Sequence, residues 1–272
     1  MATDREACVT AGCFGMPFLL ETSNIASAAA LCAGEGLRFV ELNSNFPQCG
    51  LDILKKTPLR ELAQEHGIFF TLHLDDRLDA FDFNLLVREA YTRTILDAIR
   101  LAKAAGMPVI NMHIPRGNIV TLPEGKHYIY GEFPREFEQA VLKMRESCRA
   151  AISGSDIRIS VENTDGWEPY ELSAIEILLE SPAFGLCLDI GHDHAAQNRD
   201  LPFFLKHRDR LIHMHAHDGR GQTNHQALGT GEIPFDDRLA LAKEAGATIV
   251  LETKTAAALR QSVRCLRERA LV

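Results

Sequence analysis

Eight short apolar runs, each separated from the next by a longer stretch with helical periodicity, constrain this 272-residue chain more than any other feature. The runs span residues 9–12, 39–42, 69–73, 109–113, 157–162, 184–189, 211–215 and 248–252. They are rich in Val, Ile, Leu and Phe and alternate little between apolar and polar, as strands covered on both faces do. Between them, residues 23–33, 59–66, 85–105, 135–152, 170–179, 236–245 and 256–269 place apolar side chains at the spacing of one helix face. In 85–105, Leu86, Ala90, Ile95, Ala98, Ile99 and Ala102 share a broad stripe, Asn84 is positioned as N-cap and Gly106 as stop. Gly36, Gly67, Gly106, Gly185 and Gly246 read as turn residues ahead of strands. The alternation predicts an α/β chain folded as a single (β/α)8 TIM barrel over 1–272, because barrels of about 250 residues fold as one domain. No GxGxxG follows the first run, which removes the usual dinucleotide signature. The longest irregular stretch, 115–133, reads as a lid or binding loop.

Barrel enzymes build their sites at the C-terminal ends of the strands. Six consecutive runs end in a residue that can bind a metal: His73, His113, Glu162, Asp189, His215 and Glu252. Imidazole and carboxylate without thiolate suit a divalent cation such as Zn, Mn, Mg or Co rather than a Cys-rich structural zinc. Converging carboxylates repel one another and are costly to bury unless a cation lies between them. His213, His215 and His217 alternate along one strand face; His215 is at ligand depth, His213 is expected lower in the packed barrel and His217 at the rim. His192 lies one turn past Asp189 and can point back to the site, with His194 behind it. His225, followed by the turn Leu228-Gly229-Thr230-Gly231, is expected on a loop over the mouth.

The net charge of −8 argues against a large basic footprint for nucleic acid. Seven scattered cysteines without CxxC spacing predict reduced thiols in a cytoplasmic protein. There is no signal-peptide pattern and no run of roughly 18 apolar residues, so no membrane span is expected. Homo-oligomerisation is left open.

The segments Leu72-His73-Leu74, Met112-His113-Ile114, Val161-Glu162-Asn163, Leu188-Asp189-Ile190-Gly191-His192, Met214-His215 and His225 with its glycine turn resemble the xylose isomerase-like TIM barrel superfamily, which includes sugar epimerases and isomerases and endonuclease IV-type AP endonucleases. Resemblance to the tagatose and psicose epimerases implies one divalent metal on Glu162, Asp189, His215 and Glu252, with both glutamates as acid and base and His192 against substrate. Resemblance to the endonuclease IV type implies further metals at His73, His113, His192 and His225. That pattern also needs an aspartate two residues before the last histidine, where this chain has Thr223. A second metal at His73, His113 and Glu162 stays open.

The leading expectation is a metal-dependent isomerase or epimerase of a sugar, sugar phosphate or related hydroxy-ketone. Glu162 and Glu252 would move the proton through a metal-stabilised enediolate. His192, His225, Arg116, Arg220 and Trp167 are the candidate substrate contacts, the arginines for a phosphate or carboxylate and Trp167, with Phe46, for a sugar face. The alternative is an endonuclease IV-like multi-metal phosphodiester hydrolase, or another metal-dependent hydrolase or lyase. It is disfavoured by the acidic charge, by Thr223 and by the few bases in the top loops.

Overall fold

The computed structural model describes residues 13–272. The strands are β1 (Phe14–Pro17), β2 (Phe39–Asn43), β3 (Phe69–His73), β4 (Val109–His113), β5 (Arg158–Glu162), β6 (Phe184–Asp189), β7 (Leu211–Ala216) and β8 (Thr248–Leu251). Each pairs in parallel with its neighbours in the chain, and β8 pairs with β1 to close a barrel. The expected first strand, 9–12, lies outside the described residues.

Helices α1 (Ile25–Gly34), α2 (Leu59–His66), α3 (Leu85–Ala105), α4 (Pro134–Ile152), α5 (Pro169–Leu179), α6 (Ile190–Ala195), α7 (Phe235–Ala245) and α8 (Ala256–Glu268) follow the strands. Local chemistry sets their ends. The side chains of Asn84 and Thr255 accept from Leu86 N–H at 3.1 Å and Ala258 N–H at 3.2 Å, satisfying donors that the helix leaves open. Gly106, at φ 75°, ends α3 in the left-handed region that a side chain disfavours. Gly185 is not a turn residue: it lies inside β6, where a Cβ would come within 2.8 Å of the Arg210 carbonyl oxygen.

The strands are buried on both faces. Phe70, Leu72, Ile110, Met112, Ile159, Val161, Leu186, Leu188, Met214 and Ile249 are all 0–2% exposed. Phe184 is likewise fully buried, and each large side chain so covered contributes roughly 1.5–3 kcal/mol. The stretch 115–133 is more ordered than the sequence suggests. It holds an antiparallel hairpin, Ile119–Leu122 against Gly125–Tyr128, and a short helix, Ile129–Glu132. Tyr130 anchors it by stacking on Phe137 at 4.4 Å and donating its hydroxyl to Asp79 at 2.7 Å. The loops after β3 and β4 are thereby tied together at the C-terminal end of the strands. A second hairpin, Asp218–Arg220 against Thr223–Gln226, follows β7. Among the described residues no helix is long and apolar enough to cross a membrane, and the six cysteines are buried and form no disulfide.

Candidate metal centre

The strand ends bring Glu162, Asp189, His215 and Glu252 together. Register sets Asp189 directly beside His215 across β6 and β7, and His113 beside Glu162 across β4 and β5. Glu252 follows the last residue of β8. One ligand atom from each of the four lies within 4.8 Å of the others. His215 Nδ1 is 2.9 Å from Glu162 Oε1, 3.2 Å from Glu252 Oε2 and 3.9 Å from Asp189 Oδ2. On the ring's other side, Nε2 is 2.8 Å from Glu41 Oε1. These contacts are close but poorly aligned, and neither ring nitrogen makes a hydrogen bond. A buried nitrogen left in that state is costly unless something other than a carboxylate meets its lone pair. Three carboxylates around such a nitrogen form an oxygen-rich donor set with one imidazole, which fits a divalent cation of the Zn, Mn, Mg or Co kind.

The electrostatics agree with that fit. Burial alone would raise the Glu162 and Glu252 carboxyls, but His215 beside both more than reverses it and holds them well below the ordinary carboxylate range. Burial alone would lower the His215 imidazole; Glu162 above all, with Glu41 and Glu252, drives it well upward. The three carboxylates thus favour positive charge at the centre of the cluster, whether on the imidazole or on a cation.

A supporting layer holds these groups. Glu41, on β2, is 2% exposed and joins two histidines: its Oε1 faces His215, and its Oε2 lies 2.9 Å from His213 Nε2. His213 Nδ1 is 2.6 Å from Thr248 Oγ1. Asn111 donates to Glu162 Oε2 and is itself fixed by Ser160 Oγ, 2.6 Å from its Oδ1. Asn163 and Asp189 exchange reciprocal bonds, Asp189 N–H to Asn163 Oδ1 at 2.8 Å and Asn163 Nδ2 to the Asp189 carbonyl at 3.0 Å. Sequence reasoning assigned no role to Glu41. Its signal was a lone acid in the middle of an apolar run, Phe39-Val40-Glu41-Leu42.

The outer histidines divide into two groups. His73 Nδ1 lies 2.7 Å from the Leu74 carbonyl, which directs Nε2 to Glu162 Oε2 at 3.2 Å. Burial lowers His73 but the Glu162 bond outweighs it, taking the ring up to about 9. His113 Nε2 is 3.7 Å from both Glu162 Oε2 and Asp76 Oδ1. Ligand atoms of His73, Asp76 and His113 also fall within 4.8 Å of one another, and Asp76 had no part in the expected set. On the other side, His192, in the first turn of α6, meets the His225 ring at 5.5 Å. His225 lies in the second hairpin, with Nδ1 3.8 Å from Glu252 Oε1. Burial pushes it down to about 4, leaving a neutral imidazole at the mouth. His217, expected at the rim, is fully buried instead. His194 leaves the site and meets Glu232 at 3.2 Å.

The other expected substrate contacts are placed less favourably. Trp167 is 2% exposed, stacked on Phe204 at 5.2 Å with Phe203 at its edge, so its ring has no free face for a sugar. Phe46 is packed against the core and tilted against Phe18. Arg220 is exposed in the second hairpin. Arg116 is committed to the loop after β5: it donates to the Gly166 carbonyl at 2.8 Å, and its Nε is 3.8 Å from Glu171 Oε2. Lys254, assigned no role from sequence, places Nζ 2.8 Å from Glu252 Oε1.

Glu171 makes a test of this loop. Burial pushes its carboxyl from 4.5 up to about 7. A folded-state value above the unfolded one means stability is full below pH 4.5 and declines as pH rises towards 7. Glu171→Gln keeps an acceptor for the Glu168 N–H, which bonds Oε2 at 2.7 Å, and removes the buried charge. The variant is expected to match the parent near pH 4.5 and to exceed it above pH 7, by on the order of 3 kcal/mol at most. Thermal melts across that range check it; a difference that does not vary with pH refutes the buried-charge account.

Among solved structures, a D-tagatose 3-epimerase-like protein superposes with a TM-score of 0.76 at 21% identity, covering 94% of this chain and 96% of that one. The 3-keto-D-glucoside 4-epimerase of E. coli gives 0.74 at 15% identity, covering 94% and 98%. The IOLI protein with a bound zinc atom gives 0.69 at 16%, covering 94% and 98%. At these identities the likeness is one of fold. An uncharacterized protein of Methanocaldococcus jannaschii is 25% identical over 225 residues, 80% of this chain and 82% of its own length. The family described as xylose isomerase-like TIM barrel matches residues 29–269. With the closed parallel barrel and that match over most of its length, the chain belongs to the xylose isomerase-like TIM barrel family.

Proposed function

We propose that this protein is a divalent-metal-dependent isomerase or epimerase acting on a sugar, sugar phosphate or related hydroxy-ketone. The observation that carries the reading is the convergence of two carboxylates, from strands separated by β6 and β7, on one imidazole nitrogen: Glu162 Oε1 at 2.9 Å and Glu252 Oε2 at 3.2 Å from His215 Nδ1. Glu162, Asp189, His215 and Glu252 would hold the cation. When bound, a divalent cation supplies Lewis-acid polarisation of a carbonyl and its neighbouring hydroxyl, acidifying the C–H they share.

The chain's own groups then handle the proton. Glu162 and Glu252 are kept ionised by their surroundings, as bases must be. One takes the proton as the C–H bond breaks and an O–H bond forms on its carboxylate. For epimerisation the other carboxylate must first take a proton from solvent, which it delivers to the same carbon from the other side while the first carboxyl releases its proton to water. For isomerisation the first carboxyl hands its own proton to the adjacent carbon. Asn111 and His73 fix Glu162 at Oε2, leaving Oε1 for the site, and Lys254 restrains Glu252. His192 and the neutral His225 stand at the mouth, where a substrate hydroxyl can meet an imidazole. The neighbouring fold includes proteins named for sugar epimerisation, which favours this chemistry over others that the barrel supports.

One feature favours a second reading, multi-metal phosphodiester hydrolysis: the group His73, Asp76 and His113 offers a further cation position next to Glu162. Against it, Thr223 stands exposed where that pattern calls for an aspartate, and Arg116 is already engaged. Metal content and solvent-deuterium exchange decide between them. One tightly bound cation per chain, with deuterium entering a ketose or ketose phosphate from D2O, is the expected result. Two or three cations with cleavage of abasic DNA, and no exchange into any ketose of a broad panel, would overturn it.

A further inference from the structure

His217 has the buried position and ligand atoms of a metal residue, and with His225 and Glu252 it forms a group whose ligand atoms lie within 4.8 Å. Its nitrogens are nevertheless both taken. Nδ1 lies 2.8 Å from the backbone nitrogen of His225. Nε2 lies 3.0 Å from Asp189 Oδ1 and 3.1 Å from Oδ2. A backbone N–H can only donate, so Nδ1 must be the bare nitrogen and the ring proton must sit on Nε2. The Asp218 carbonyl is farther from Nδ1, at 3.3 Å, and a proton there would oppose the His225 N–H. The ring thus donates to Asp189 and accepts from His225.

Two backbone features make room for this. His225 adopts φ 56°, a left-handed conformation uncommon outside glycine, in the strand that directs its N–H at the ring. Position 191 is glycine, and a Cβ there would fall inside the His217 imidazole. Asp189 is held on its remaining sides by the His192 N–H, 2.7 Å from Oδ1, and by Asn163 on its backbone. The His217 and His225 rings lie 4.3 Å apart.

We propose that His217 is a positioning residue, not a ligand: it couples the hairpin over the barrel mouth to the aim of Asp189 in the cation site. This rests on the metal-dependent reading above. The two arms of the ring can be separated chemically. Glutamine at 217 places an amide N–H near the position of Nε2 and can serve Asp189; asparagine places its oxygen near Nδ1 and can serve His225 but falls short of Asp189.

The test is calorimetric titration of the full-length wild-type, His217→Ala, His217→Gln and His217→Asn proteins with Mn2+ alone. It is paired with hydrogen exchange over residues 223–226 and far-ultraviolet circular dichroism. His217→Ala is expected to weaken Mn2+ by about 10–100-fold, as loss of a partner behind a ligand does, and to speed exchange in the hairpin. His217→Gln is expected to recover the affinity but not the protection. His217→Asn is expected to recover the protection but not the affinity. If His217→Ala does not fold, the Gln and Asn pair carries the same comparison. Wild-type affinity in His217→Ala, or equal behaviour of Gln and Asn, overturns the coupling while the metal site stands. Absence of Mn2+ binding by the wild type overturns the metal-dependent reading itself.

Discussion

Glu162→Gln and Glu252→Gln are each expected to lower turnover by about 10²–10⁴-fold, the usual worth of a general acid or base, with the barrel still folded. The substitution preserves size and a carbonyl acceptor, so Asn111 and His73 keep a partner at position 162 and Lys254 keeps one at 252. What disappears is an ionised oxygen able to accept a proton. His215 holds both carboxyls well below the ordinary range, so both are charged at neutral pH. Each change also removes one anionic oxygen from the donor set, so turnover must be measured at saturating cation with metal content determined on the same sample. Solvent-deuterium exchange separates the roles further. If one glutamate removes the proton and the other returns it, the variant lacking the first should lose exchange along with turnover. Full activity in either variant would show that the proton passes elsewhere.

Glu41→Ala is expected to be the most damaging change outside the four candidate ligands. Glu41 is fully enclosed and faces both His213 and His215. Removing it leaves two buried imidazoles without their carboxylate, a loss on the order of 3–5 kcal/mol, which corresponds to roughly 6–20 °C in Tm. It also removes the carboxylate that lies 2.8 Å from His215 Nε2, on the side of the ring away from the candidate cation site, and about 10–100-fold in Mn2+ affinity should go with it. Glu41→Gln separates the effects: it fills the space and offers one acceptor, so most of the folding stability should return while cation affinity stays reduced. Thermal melts and Mn2+ titration check this. Unchanged affinity in both variants would mean that His215 is oriented by its neighbours on β6 and β8 rather than from below.

The barrel was legible because its signal is local and repeated. Runs such as 109–113 and 184–189 lack apolar alternation only because helices cover one face and the barrel interior the other, and that condition recurs at each strand. The caps at Asn84 and Gly106 act within one turn of chain, so the limits of α3 could be read directly from the residues. The acidic and imidazole strand ends were legible for the same reason: parallel strands in one barrel all end at one rim, and a residue's place in its own strand sets its depth.

What the chain alone left undetermined depends on partners distant in sequence. Whether Trp167 offers a face to solvent depends on Phe203 and Phe204, more than thirty residues later, which cover it. Whether Arg116 is free depends on the Gly166 carbonyl and Glu171. His217 looked like a rim residue because strand alternation carries no knowledge of the hairpin that folds back to place His225 N–H on its ring. The ring of imidazole and carboxylate strand ends was thus determined by the sequence itself, since a repeated local pattern aligns them. Which of them converge on one point, which stand behind the others and which are covered was decided only by the tertiary structure, because burial and hydrogen-bond partners are set by side chains brought together across the barrel.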